Sequence, residues 1–266
     1  EYNGHYCESE YEYAFIGFLE AEGWKYSSGN NIHRVTKRDV LIADDFKKFI
    51  ADTNLDLTED EVIQIYDNVR LVGAESDFAT LHKVYGWMVN GVQFTPQDGL
   101  PRMIPLIDFD NWDKNIFRVV NQFTVEYTNN GQKENRRPDV LLFVNGIPLC
   151  VIELKNPADA NATIYDAWEQ INIRYWRDIP HLLHYCPLAC ISDGVKTRLG
   201  TVRTPYEHFY AWRRVNEGDA VSTLPFAETE TMIKGVYAPE RFMEIFRDYI
   251  YFQDSIYDSD EVEIIC

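Results

Sequence analysis

The chain contains 266 residues, of which 45% are hydrophobic and 26% are charged. This composition is ordinary for a globular protein, and the length suffices for one large domain or two small ones. No apolar run approaches the roughly 20 residues that a membrane-spanning helix needs, and the acidic first ten residues predict no signal peptide. Five scattered cysteines argue against a disulfide framework and favour a reducing, cytoplasmic location.

The charge of the chain is strongly negative, because 43 Asp and Glu residues outnumber 25 Lys and Arg residues and give a formal net charge of -18. Contacts between Lys or Arg and phosphate supply most of the non-specific affinity of proteins for DNA. Most of this surface should therefore repel DNA. A role on DNA would require that other subunits deliver the DNA, or that a divalent metal neutralises an acidic site. Acidity by itself favours a module that binds other proteins.

The N-terminal part of the chain has the periodicity of helices. Apolar residues from Tyr11 to Leu19 recur on one helix face, and Gly23 stands where that helix should end. Residues 38–92 predict an additional helical segment. Within it, the Thr-Glu-Asp-Glu string at 58–61 has the spacing of a capping box.

The middle of the chain is rich in β-branched and aromatic residues, which predict strands. The predicted strands cover residues 105–109, 117–120, 122–127, 139–144, 147–155 and 187–192, with later helices at 159–177 and 239–252. Asn-Gly pairs at 130–131 and 145–146 predict turns, and residues 254–263 form an acidic tail. This order of elements predicts an α/β (α+β) fold with a mixed central β-sheet flanked by helices.

The hairpin predicted at 139–155 brings two carboxylates together. With a two-residue turn, Asp139 faces Ile152, the neighbour of Glu153. With a turn one residue longer, Asp139 faces Glu153 itself. Because side chains alternate along a strand, Glu153 and Lys155 share a face while Leu154 points into the core.

Asp139, Glu153 and Lys155 have the chemistry of a metal-dependent hydrolase. Mg²⁺ binds a few carboxylate oxygens together with waters and a substrate phosphate. A lysine beside the metal can orient or deprotonate the attacking water, or offset charge that develops on the phosphate. The competing interpretation is a structural ion pair between Lys155 and Glu153. Arg136 and Arg137, just before Asp139, are candidates for contact with the DNA backbone, with a solvated turn as the alternative.

Residues 137–157 resemble a known protein family. The Pro-Asp pair at 138–139 and the Glu-Leu-Lys string at 153–155 resemble the PD-(D/E)xK nuclease motif. The whole segment is similar to the N-terminal endonuclease domain of type I restriction enzyme R subunits. Segments 115–123 and 191–194 also fit that family, so the resemblance extends over nearly the whole chain.

The resemblance implies a restriction-endonuclease-like core and Mg²⁺-dependent hydrolysis of DNA phosphodiester bonds. It implies that Asp139, Glu153 and the backbone carbonyl of Leu154 hold the metal, and that Lys155 acts on the water. It also matches Glu12, in the opening helix, to the glutamate that faces the metal site in this family. The competing interpretation of Glu12 is a solvated helix face.

The family also carries a Gln-x-x-x-Tyr motif that supports the nuclease centre. Gln170 matches the glutamine, but Arg174 stands at the tyrosine position and Tyr175 lies one residue later. On an α-helix this shift turns the side chain by about 100°, so Tyr175 fits only if a bulge corrects the register. Arg174 is then a further candidate for contact with phosphate.

The resemblance further implies a larger enzyme. R subunits of this kind continue into an ATP-driven helicase motor and assemble with methyltransferase and specificity subunits, which use S-adenosylmethionine and recognise unmethylated sites in double-stranded DNA. No phosphate-binding G-x-x-x-x-G-K-[ST] loop occurs in this sequence. We therefore expect an endonuclease domain at 1–235, and a helix and acidic linker at 236–266 that lead towards the motor. The alternative function is a non-catalytic docking module for the other subunits.

Overall fold

The computed structural model describes residues 8–73, 75–97, 99–156, 162–221, 226–253 and 261–264. The start of the helix predicted at 159–177 and most of the acidic tail predicted at 254–263 lie outside these residues. Helices and strands of the described part contribute jointly to one hydrophobic core.

The described helices agree with the helical periodicity of the sequence. In chain order the α-helices are α1 (Glu8–Ala21), α2 (Ala43–Thr53), α3 (Glu59–Arg70), α4 (Asp77–Asn90), α5 (Ile164–Glu169), α6 (Trp176–Asp178), α7 (Pro180–Leu183), α8 (Ala227–Met232) and α9 (Pro239–Asp248). π-Helices cover Gln170–Tyr175 and Ile233–Tyr237. The opening helix, the helical segment at 38–92 and the capping box of Thr58 and Glu61 are confirmed.

Strands form the centre of the molecule. They are β1 (Lys25–Ser28), β2 (Val92–Phe94), β3 (Arg102–Ile104), β4 (Phe117–Asn121), β5 (Val125–Asn129), β6 (Gln132–Arg136), β7 (Val140–Val144), β8 (Ile147–Leu154), β9 (Leu188–Ser192), β10 (Thr197–Thr201), β11 (Ile250–Gln253) and β12 (Glu261–Ile264). Six of them form a sheet in the order β1-β4-β7-β8-β9-β10. The pairs β1/β4 and β8/β9 are parallel and the others are antiparallel, so the predicted mixed central sheet is confirmed.

The strand predicted at 105–109 is absent, the strand predicted at 122–127 begins only at Val125, and the last predicted helix is shorter than predicted. Residues 105–109 form no strand, because Pro105 has no N–H to donate and the Asp108 carboxylate accepts from the backbone N–H groups of Asp110 and Asn111, which favours a turn. The last predicted helix ends at Asp248, since the β-branched and aromatic residues that follow it form β11 instead.

Helices cover both faces of the large sheet. Cys150 and Glu153 lie three residues apart in β8 and therefore point to opposite faces. On one face the Cys150 thiol contacts the Tyr237 hydroxyl at 3.6 Å, which places the π-helix Ile233–Tyr237 there. On the other face the Gln170 amide donates to Glu153 at 2.7 Å, which places α5 and the π-helix Gln170–Tyr175 there.

The start of α2 packs against the turn end of the β7–β8 hairpin. The Ile42 amide donates to the carbonyl of Gly146 at 2.8 Å. The Arg118 guanidinium on β4 binds both oxygens of Asp45 on α2, at 2.6 and 2.8 Å. This bidentate pair fixes the helical segment to the sheet at the end away from the predicted carboxylates.

The C-terminal helices belong to the packed core. Phe242 and Phe246 of α9 are fully buried, and the Trp24 indole donates to the carbonyl of Tyr237 at 2.7 Å. The domain boundary predicted between residues 235 and 236 lies inside the π-helix Ile233–Tyr237. Among the described residues, no helix is both long and apolar enough to cross a membrane.

Candidate active site

The register of the β7–β8 hairpin combines both predicted alternatives. Val144 pairs with Ile147 across the two-residue turn, as the shorter alternative requires. A bulge then shifts the register by one residue, so that Val140 pairs with Ile152. The next position along the strands brings Asp139 opposite Glu153, as in the longer alternative.

The Asp139 and Glu153 carboxyl groups lie in direct contact at this end of the hairpin. They share a hydrogen bond, and Asp139 Oδ2 also accepts from the backbone N–H of Leu154 at 2.8 Å. Burial raises the pKa of Asp139, against the lowering effect of that N–H. Glu153 is fully buried, and burial, followed by the neighbouring Asp139 charge, raises its pKa well above the usual range.

This pair of carboxyl groups fits a divalent cation. Two buried acidic side chains in contact are costly to ionise, and a cation between them would offset both desolvation and repulsion. The described residues contain no group of three or more His, Cys, Asp or Glu side chains arranged around a metal position. Two carboxyl groups are a ligand set that suits Mg²⁺, because this ion keeps several waters and binds substrate phosphate.

A hydrogen-bond network connects Glu153 to Lys155 through the π-helix. Gln170 donates to Glu153 Oε2 at 2.7 Å and accepts from the Lys155 ammonium group at 3.2 Å. Tyr175 donates to Glu153 Oε1 at 2.5 Å and accepts from Gln170 at 2.9 Å. Burial, followed by the charge of Glu153, raises the pKa of Tyr175 well above its usual range, so the phenol stays protonated and acts as a donor.

Glu12 lies deeper than the solvated helix face that was its alternative interpretation. Its side chain is 5% exposed and accepts from the amides of Asn121 at 2.6 Å and Gln122 at 2.7 Å. The backbone N–H of Gln122 donates to the carbonyl of Asp139 at 3.1 Å. Glu12 is thus connected to the carboxylate pair through the end of β4.

The arginines near the site differ in their surroundings. Arg136 is half-buried and forms an ion pair with Asp178, while Arg174 is exposed beside Glu169 at 3.7 Å. Arg137 is exposed, and its charge opposes the effect of burial on the pKa of Asp139. Arg137 therefore places a positive charge near Asp139.

Asn121 and Gln122 are site residues that the sequence did not single out. Asn121 ends β4, and Gln122 adopts a left-handed backbone conformation with φ 54°. That conformation is uncommon outside glycine, asparagine and aspartate and costs free energy. Both residues lie in the segment 115–123 that carries the family resemblance, but amide side chains after a strand do not by themselves indicate a site.

The chain is similar to known proteins over most of its length. Residues 6–208 match the family model described as type I restriction enzyme R protein N terminus. The endonuclease subunit assigned to the type I restriction enzyme MjaIXP of Methanocaldococcus jannaschii is 31% identical, over 90% of this chain and 25% of that protein. The endonuclease subunit of the type I restriction enzyme HindI of Haemophilus influenzae is 29% identical, over 94% of this chain and 24% of that protein.

The chain spans about a quarter of the length of these two curated relatives. The family model covers most of the chain, including both strands of the hairpin and the π-helix that contacts it. The comparisons and the fold thus agree, and this chain belongs to the family of type I restriction enzyme R protein N-terminal domains.

Proposed function

We propose that this chain is the DNA-cleaving domain of a type I restriction enzyme R subunit and that it hydrolyses phosphodiester bonds of double-stranded DNA with Mg²⁺. The observation that carries the proposal is the convergence of Asp139, Glu153 and Lys155 at one end of the β7–β8 hairpin. Gln170 and Tyr175 connect the buried carboxyl of Glu153 with the lysine. The names of the relatives, which are endonuclease subunits, point to the same activity.

In this proposal the side chains of the site have three roles, which are metal binding, action on the attacking water, and orientation of Glu153. Asp139, Glu153 and the carbonyl of Leu154 would hold Mg²⁺, which supplies Lewis-acid stabilisation of negative charge on the scissile phosphate. With its ammonium group, Lys155 would orient the attacking water or offset charge on the phosphate; as a neutral amine it would take the proton of the water. Gln170 and Tyr175 use fixed hydrogen bonds to hold the Glu153 oxygens in one orientation, which keeps the carboxylate ready for the cation.

The proposal extends to the larger enzyme that the relatives' length indicates. The full R subunit would add an ATP-driven motor that moves DNA. The methyltransferase and specificity subunits would recognise an unmethylated site with S-adenosylmethionine as cofactor. The net charge of -18 is compatible with this division, because partner subunits would hold the DNA that the acidic domain surface mostly repels.

The test uses the full R subunit assembled with its methyltransferase and specificity subunits. Glu153→Gln and Lys155→Met, each close in size to the original residue, should reduce DNA cleavage below detection and leave ATP hydrolysis near the wild-type rate. Glu59→Gln and Lys48→Met change the same charges on exposed positions of α3 and α2, and both variants should cleave normally.

The second candidate function is a docking module without catalysis, which the acidic composition favours. It predicts a different outcome for the same variants. If Glu153→Gln and Lys155→Met both cleave DNA at the wild-type rate, the nuclease proposal is wrong and the docking module stands.

A further inference from the structure

A short basic segment stands out against the acidic chain. Residues 33–38, here called the basic loop, read His-Arg-Val-Thr-Lys-Arg and contain no Asp or Glu, although the whole chain has a net charge of -18. Lys37 and Arg38 are exposed, and Val35 between the charged residues is 91% exposed. An exposed run of this kind presents positive charge to a partner in solution.

The backbone of the basic loop is held in one conformation. The Asp39 carboxylate accepts from the backbone N–H of Thr36 at 2.8 Å and from its hydroxyl at 3.0 Å. The Arg34 guanidinium donates to the carbonyl of Asp39 at 3.1 Å and lies over the ring of Phe123 at 3.8 Å. Arg34 and Asp39 therefore hold the backbone of the loop in place, and the exposed side chains of Lys37 and Arg38 are attached to this ordered backbone.

The basic loop lies beside the β5–β6 hairpin, whose second strand leads into Asp139 of the candidate active site. Its Lys37 carbonyl accepts from the Glu126 amide of β5 at 2.9 Å, so the loop runs along the outer edge of the β5–β6 hairpin. On the other strand of that hairpin, Arg136 pairs with Val125, and Arg137 follows two residues before Asp139. Two strand spacings, or about 10 Å, separate the Lys37 backbone from that of β6.

The basic side chains in this area are not all neutralised. Lys133 and Arg136 form ion pairs with Glu126 and Asp178. In contrast, Lys37, Arg38 and Arg137 form no ion pair with any residue that the structure describes. Three exposed cations, one of them two residues before Asp139, therefore remain available to an external anion.

We infer that the basic loop and Arg137 form one surface that binds the sugar-phosphate backbone of duplex DNA next to the cleavage centre. The inference rests on the proposed nuclease function and adds the path by which DNA would reach it. An acidic protein would also be attracted to these cations. DNA is favoured because Arg137, at one end of this surface, lies two residues before Asp139, beside which a scissile phosphate would have to lie.

The test measures how duplex DNA binding by this chain depends on salt, starting at low ionic strength. Each phosphate contact contributes about 0.9 to the slope of log affinity against log salt. The double variant Lys37→Gln, Arg38→Gln should therefore bind more weakly, with a slope smaller by about 2. The control is Arg213→Gln, Arg214→Gln, which removes the same charge from two exposed neighbours that follow Trp212. Trp212 packs against Gly235 in the π-helix on the opposite face of the sheet.

Three outcomes overturn the inference. The first is an unaltered salt slope in the Lys37→Gln, Arg38→Gln variant. The second is an equal decrease of the slope in the control variant. The third is no DNA binding by the wild-type chain at low salt. If the loop variant assembles more weakly with the partner subunits while the salt slope of its DNA binding is unchanged, the surface binds a protein instead of DNA.

The proposed function fails separately, if Glu153→Gln leaves cleavage intact in the assembled enzyme. An unaltered loop slope together with lost cleavage in Glu153→Gln would reject the basic loop and keep the nuclease. A smaller salt slope in the loop variant together with intact cleavage in Glu153→Gln would keep the basic loop as a DNA-binding surface and reject the nuclease.

Discussion

Gln170 and Tyr175 bind the two different oxygens of the Glu153 carboxyl group, although five residues separate them in the sequence. On a regular α-helix, residues five apart point about 140° away from each other. The π-helix Gln170–Tyr175 contains one more residue per turn and returns both side chains to the same face. The π-helix thus provides the one-residue correction of register without which Tyr175 could not take the tyrosine position of the motif.

This relationship predicts a role for the Tyr175 hydroxyl. Tyr175→Phe keeps the buried ring and removes a donor to Glu153, so cleavage by the assembled enzyme should fall about 10- to 100-fold, with a higher Mg²⁺ requirement. Cleavage rates measured across a Mg²⁺ titration check this. Arg174→Gln, which changes the exposed neighbour, should leave the Mg²⁺ requirement unchanged, and an equal effect of both variants would argue against the role of the hydroxyl.

Two buried glutamates should respond oppositely to the same substitution. The Glu153 carboxyl is buried against Asp139, which raises its pKa, so the metal-free chain should gain a few degrees of melting temperature with Glu153→Gln. Glu61 accepts backbone N–H groups of Thr58 and Gln97, which lower its pKa, so Glu61→Gln should lower the melting temperature. Thermal unfolding at neutral pH without divalent metal distinguishes the two. A destabilised Glu153→Gln chain would contradict the view that the carboxyl pair is costly.

The two Asn-Gly turns allow a matched test of close packing. Gly131 and Gly146 both have positive φ, of 80° and 75°. A Cβ at Gly131 would meet nothing within 4 Å, whereas at Gly146 it would lie 2.2 Å from the carbonyl oxygen of Ile42. Gly131→Ala should cost about 1 kcal/mol of unfolding free energy, and Gly146→Ala about 1–3 kcal/mol more. Equal losses in denaturant unfolding would show that α2 can move away from the hairpin.

The stability of the chain should depend on His181 in acid. Burial, followed by the charges of Arg38 and His184, lowers the pKa of His181 from 6.5 to about 4. Because the folded pKa lies below the unfolded one, the contribution of His181 is fully present above pH 6.5 and is lost as the pH falls towards 4. The loss amounts to at most about 1.4 kcal/mol for each pH unit in this window.

Replacing the ring isolates this contribution. His181→Phe should flatten the pH dependence of the unfolding free energy between pH 6.5 and 4, and His208→Gln, at an exposed position, should not. Urea unfolding at several pH values measures both. A variant curve parallel to that of the wild type would assign the acid sensitivity to other groups.

Local patterns predicted the helices and the hairpin because their signals lie within a few residues. The Thr58 capping box and the Asn-Gly turns are examples. The bulge in β8 and the π-helix could not be predicted in this way. Each inserts one residue whose effect appears only when distant segments pack together, as Glu153 does with Gln170 and Tyr175. The contact of Glu12 with Asn121 spans 109 positions, and no local pattern indicates it.

The bulge and the π-helix have a consequence for how such domains are recognised. Both displace the sequence spacing by one position, so a search that requires fixed intervals between motif residues would reject Tyr175 here. A changed spacing between two motif residues does not mean that their contact is lost, because a bulge or a π-helix can accommodate one inserted residue. Distances around Glu153 are therefore a better criterion than residue counts for assigning supporting residues in related chains.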